Sequence, residues 1–210
     1  MRWAAAAGVA GPLLLAAYFA APALAGWPYA GASPEVLSAY ARSHALLFYA
    51  GGWLQATGAV LSVLFFMALL HLTGRRDHAA ARVVYVGGAV LLGVVLIEAA
   101  LLEAVPMAAA NGDRSTVAVT FALSNGVFAR IFPLAPAPMV FAGIGLALPG
   151  TALLPAPMVT AALVIALLFV LAGVAAIFGT AGLILAIVMS IVEAVWILSA
   201  GLAVAAKAWL

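Results

Sequence analysis

Four polar side chains stand inside long apolar runs of this chain: Gln55, Glu98, Arg130 and Glu193. Glu193, in the stretch "SIVEAVWILS", is the only ionisable residue between Arg130 and Lys207. Two carboxyls, one guanidinium and one amide offer a limited chemistry. A guanidinium can take a carboxylate on two parallel hydrogen bonds, so Arg130 could pair with Glu98 or Glu193. With two acids to one base, the second carboxyl is left to carry a proton or to face water. Three uses remain open: an internal clamp that fixes helix packing, a ligand or ion site, and catalysis. No nucleophile, base and orienting group stand together, so no catalytic residue is assigned.

The elements that must position these groups follow from composition. The 210 residues are 69% hydrophobic and 7% charged, with a mean hydropathy of +1.30; these values exclude an ordinary soluble domain. The net charge is only +2, a small surplus on few groups, which excludes a nucleic-acid-binding surface. With no cysteine, disulfides, thiolate nucleophiles and thiolate metal sites are excluded as well. His44 and His71 lie at opposite ends of one apolar run, about 40 Å apart along a helix, and His78 sits in an Arg-rich loop, so the histidines make no metal or haem site. No cofactor is indicated.

A membrane helix needs roughly 20 mainly apolar residues, and by that measure the chain holds about six: 3–25, 46–72, 83–105, 121–147, 157–178 and 181–206. The runs are continuous, which favours helices over the alternation of barrel strands. The expected fold is all-α: one polytopic transmembrane domain over residues 1–210, embedded in the lipid bilayer. Arg2, Arg75, Arg76, Arg82 and Lys207 would share one side, giving N-in and C-in. Arg2, the apolar stretch behind it and the Ala-x-Ala at Ala23 to Ala25 also resemble a signal peptide, but the run exceeds the usual h-region, and a span is expected.

After the first span, Ser33 as N-cap, Pro34 at the first helical position and Glu35 behind it predict a short outer interfacial helix. Val36, Leu37 and Tyr40 would form its apolar face, and Trp27 and Tyr29 suit the headgroup belt. This segment could simply connect the spans or cover a pocket. Between the third and fourth spans, "NGDRST" opens on a turn signal, with Ser115 or Thr116 as cap.

Depths can be counted from the arginine-bearing end at roughly 1.5 Å per residue across roughly 30 Å. Glu98 then lies about 6 Å below the opposite boundary, Arg130 roughly 3 to 5 Å, Glu193 roughly 9 Å and Gln55 roughly 3 to 4 Å, with Trp53 at the boundary. All four share one layer, and an isolated charge there costs at least about 2.5 to 3.5 kcal/mol, so a pairing of Arg130 with Glu193 or Glu98 is expected. His44, Trp53 and Trp196 would rim the pocket. Glu103 is expected to face headgroups and water. Pro133, Pro136 and Pro138 interrupt the fourth span, as a plain kink or as a broken helix lining a cavity.

The segments "RVVYVGGAVLLGVVLIEAAL", "LPAPM" and "SIVEAVWILSAGL", with an outer loop after span one and a short charged loop before span three, resemble the bacterial six-span membrane proteins of the domain-of-unknown-function family numbered 4386. The Trp and Arg that the family carries after the span-four turn are missing. The resemblance implies six helices and a multi-pass protein of the bacterial cytoplasmic (inner) membrane, and no activity. The function expected from the polar layer is small-molecule or proton-linked transport or binding through an outward-facing pocket. The alternative is an accessory or structural subunit of a larger membrane complex or a homo-oligomer.

Overall fold

The computed structural model describes residues 1–28 and 31–208. Tyr29, expected in the headgroup belt, lies outside the described residues. The helices are α1 (Arg2–Leu24), α2 (Pro34–Ser43), α3 (Ala45–Leu72), α4 (Ala79–Ala110), α5 (Arg114–Gly126), α6 (Phe132–Leu134), α7 (Pro136–Ala147), α8 (Ala156–Ala175) and α9 (Thr180–Ala208). A π-helical turn, Val127–Ile131, joins α5 to α6, so that Arg114–Ala147 runs as one interrupted span. Six of these segments are long and apolar enough to cross a membrane.

Each span packs on its neighbours in sequence, and α9 closes back on α1, which makes a ring of six. Glycines set the closest approaches. A Cβ on Gly201 would come within 2.5 Å of the Gly8 backbone, and one on Gly58 within 3.0 Å of the Gly11 carbonyl. These contacts seat α1 against α9 and α3, because small residues let helix backbones approach where lipid supplies no hydrophobic drive. Gly143 similarly lies on the turn of α4 at Ala80 and Val84.

Toward the end that carries Arg75 and Lys207, the ring is filled by Phe66, Phe141, Phe169 and Trp196. Phe141 meets Trp196 edge-on at 5.3 Å and Phe66 at 5.5 Å, a geometry favoured by ring quadrupoles. At this end Arg75 donates to the Pro149 carbonyl at 3.3 Å, and the Lys207 ammonium donates to the Ala152 carbonyl.

At the other end α2 begins as its sequence predicts: the Ser33 hydroxyl accepts from the Val36 amide at 3.4 Å, with Pro34 in the first turn. Its inward face differs from the expected one. Leu37, Ser38 and Ala41 are buried and Val36 is exposed, since the helix leans on α4 and α5 together. Trp27 is the centre of an aromatic cluster, 4.9 Å from Phe48, 5.5 Å from Phe121 and 5.8 Å from Tyr40. The cap of α5 is Asp113 rather than Ser115 or Thr116. Its carboxylate accepts from the Thr116 amide at 3.0 Å and from both hydroxyls, at 2.6 and 2.8 Å. These bonds, those from Thr116 foremost, hold its pKa down to about 2. Gly112, at φ 76°, makes the turn before it. Helices run past the expected span limits at 83, 105 and 121, because apolar composition stops at Arg82, Glu103 and Thr120 while backbone hydrogen bonding does not.

Candidate functional site

The polar residues sit where the fourth span departs from regular helix. Pro133, Pro136 and Pro138 cannot donate to the carbonyls of Ala129, Phe132 and Leu134. The chain adapts on both sides of Pro133. The Phe132 amide reaches back five residues to the Val127 carbonyl, and Ala135 takes φ −127° and ψ −69° between α6 and α7. Such π turns recur at functional sites in helical proteins. Here Val127, Phe128 and Phe132 are turned toward the ring interior and become the wall of a cavity.

That cavity has a volume of about 40 Å³, and Gln55, Ser62, Glu98, Ser190 and Glu193 all reach it. Such a volume holds a few water molecules. Glu98 is buried in α4, and its Oε1 accepts from the Tyr18 hydroxyl of α1 and from the Ser124 hydroxyl of α5, each at 3.2 Å. Ser62 and Ser190 are buried too, and return their hydroxyl protons to the carbonyls of Gly58 and Ala186. Glu193 is buried but forms no hydrogen bond or ion pair with any described residue. The Gln55 Oε1 is likewise buried without a partner among them. A buried polar atom left unsatisfied costs about 1 to 3 kcal/mol. Two unpartnered polar groups therefore face one small, mainly apolar space, where a water molecule could satisfy them.

A second cavity of about 400 Å³ lies toward the α2 end. Tyr18, Phe19, Trp27 and Phe128 give it four aromatic walls, and Glu98, Ser124 and Asn125 supply its polar atoms. Glu98, Phe19 and Phe128 line both cavities. The rings of Phe19 and Phe128 stand 5.6 Å apart on this shared wall. Among the described residues, no lysine, arginine or histidine lines either space.

Three of the four residues expected in one layer, Gln55, Glu98 and Glu193, thus reach the same cavity, and Arg130 does not. Arg130 is exposed, forms no ion pair or hydrogen bond among the described residues, and faces a separate groove with Leu37, Phe121, Gly179 and Leu183. The expected pairing with Glu193 or Glu98 is absent because Arg130 lies within the π turn, which shifts the direction of side chains around the helix. The rim residues are also distributed differently. Trp53 is 61% exposed and points away from the bundle. Trp196 is buried in the aromatic core, its indole N–H donating to the Met158 carbonyl at 2.9 Å. His44 stacks on Tyr40 at 4.2 Å beyond the cavities. Glu103 is half-buried over Gly52 rather than turned fully to water.

Sequence reasoning did not find Tyr18 and Ser124, the partners of Glu98, nor Ser62 and Ser190. Tyr18 was detectable as the one phenol inside the first apolar run; the serines carry no such signal. Comparison with family models, with curated proteins and with solved structures found no match.

Proposed function

We propose that this multi-pass membrane protein binds a small molecule, and carries protons with it, through the paired cavities at Glu98. The single observation that supports the reading most strongly is the position of Glu98. Its carboxyl is held by two hydroxyls and lines both a ligand-sized space and a smaller one that Glu193 also lines. Ionisable residues in membrane helices are expensive, and they characteristically line substrate and proton pathways. Two carboxyls in cavities without a basic residue suit a proton or a cation.

The larger cavity lies at the end opposite Arg75, Arg76, Arg82 and Lys207. With those cations read as cytoplasmic, the chain is N-in and C-in, α2 is an outer interfacial helix and the pocket opens outward. A bacterial cytoplasmic membrane is the setting that the resemblance to family 4386 implies. Cysteine labelling at Ala80 and Gly112 checks this orientation, since the chain has no native cysteine; reaction of both from one side would refute it.

Infrared difference spectra of the reconstituted protein between acid and alkaline solution test the site. The wild type should show two buried carboxyl bands, one lost in Glu98→Gln and the other in Glu193→Gln. Spectra unchanged in both variants would overturn the reading. Stoichiometric co-purification with a larger assembly after gentle extraction would instead favour an accessory subunit held together by the same residues.

A further inference from the structure

We infer that the ligand of the larger cavity is an amphiphilic organic cation, an ammonium carried on a small aromatic or branched apolar group. The inference rests on the reading of Glu98 as the functional acid of the pocket, and adds to it the chemical class of the ligand.

Three features of the cavity point the same way. Its charge is one-sided: among the described residues the ionisable groups on its wall are Glu98 and the Tyr18 phenol, and no Lys, Arg or His lines it. An anionic ligand would find no counter-charge there and would face a carboxyl instead. Its surface is aromatic: Tyr18, Phe19, Trp27 and Phe128 line it together with Glu98. Aromatic faces attract cations, most strongly where water is excluded, and recognise alkylammonium groups in this way. Its size, about 400 Å³, falls in the range of small-molecule sites.

The polar atoms are few and well placed. Glu98 Oε1 is anchored by Tyr18 and Ser124, which fixes the carboxyl without neutralising it. Asn125 donates one of its two amide N–H groups to the Phe121 carbonyl at 3.0 Å, which fixes the amide on the cavity wall. Trp27 is held by its ring contacts with Phe48, Phe121 and Tyr40, so its indole is positioned before the ligand arrives.

Calorimetric titration of the purified full chain in detergent tests the inference, with empty micelles as the blank. The probes are benzyltrimethylammonium, the neutral benzyl alcohol and the anionic benzoate. The cation should bind at least tenfold more tightly than either of the others. Glu98→Gln should abolish that preference, and Trp27→Leu, which leaves the carboxyl in place, should weaken the cation about three- to tenfold. If Glu98→Gln does not fold, Trp27→Leu and the probe series still decide. Equal binding of all three probes would overturn the cation inference while leaving the pocket intact. Tighter binding of benzoate, or no binding of the cation, would also overturn it. Loss of the Glu98 infrared band assignment, with cation selectivity retained in Glu98→Gln, would refute the underlying reading instead.

Discussion

The two ends of the ring are built from the same kinds of residue and packed in different ways. Toward Arg75 and Lys207, large rings meet edge to face, Phe66, Phe141 and Phe169 are almost completely enclosed, and the indole N–H of Trp196 has its acceptor. Toward α2, equally close rings, Trp27 4.9 Å from Phe48 and Tyr18 4.9 Å from Phe19, border two cavities, and the buried Gln55 Oε1 and Glu193 carboxyl lack partners among the described residues. The difference originates in one span. α7 is regular and sits on α4 through Gly143, whereas the π turn and α6 cannot follow the same groove. Close packing thus stops where prolines interrupt the backbone ladder, and polar side chains occupy what is left.

If this contrast is right, deletions at the two ends should have unequal costs. Phe141→Ala should destabilise the protein by about 3 to 5 kcal/mol, since it opens a void in a tight core. Phe19→Ala, on a wall that already borders open space, should cost well under half as much. Equal losses in thermal or denaturant unfolding would break the comparison. Next comes Gly201→Ala, whose added methyl meets the Gly8 backbone and should cost about 1 to 3 kcal/mol. The same change at Gly93, with nothing within 4 Å of its Cβ position, should be neutral or slightly stabilising.

Gln55→Leu sharpens the contrast from the polar side. Removing an amide that has an unsatisfied oxygen should leave stability within about 1 kcal/mol of the wild type, while altering the Glu98 and Glu193 infrared bands. A large loss would mean that the amide is satisfied in a way the fold does not show. The smallest effect is expected at the α5 cap. The Asp113 pKa lies below its ordinary value, so the cap is fully formed above about pH 4 and is lost as the pH falls toward 2. Asp113→Ala should speed amide exchange over residues 114–118, and acid should do the same to the wild type. Protection unchanged in both cases would remove Asp113 from the account.

Much of this architecture is legible from the residues. Continuous apolar runs reveal six spans, and the Ser33–Pro34–Glu35 signature locates α2, because both depend on local chemistry. The polar layer is legible in part, for a definite reason. Counting residues from a span end gives a level, and for Gln55, Glu98 and Glu193 level and direction agree. For Arg130 the level is insufficient, since a π turn changes the direction of the side chain and no regular wheel carries across it. Ser62, Ser124 and Ser190 are hidden by their own ordinariness: a serine in a membrane helix can always bond its own backbone. Only the third dimension distinguishes Ser124, which bonds Glu98, from the two that turn back on their helices.

Both hydroxyls at Glu98 meet the same oxygen, Oε1, and they come from two different helices, α1 and α5. The carboxyl is therefore mounted like a hand gripped at the thumb. One oxygen is a fixed pivot, and the other remains free to exchange its contact. Whatever arrives at the second oxygen pulls through the first on two helices at once. In the proposed reading, a proton or ligand captured at this atom would bear at once on α1 and on the interrupted span, whose Phe19 and Phe128 line both cavities.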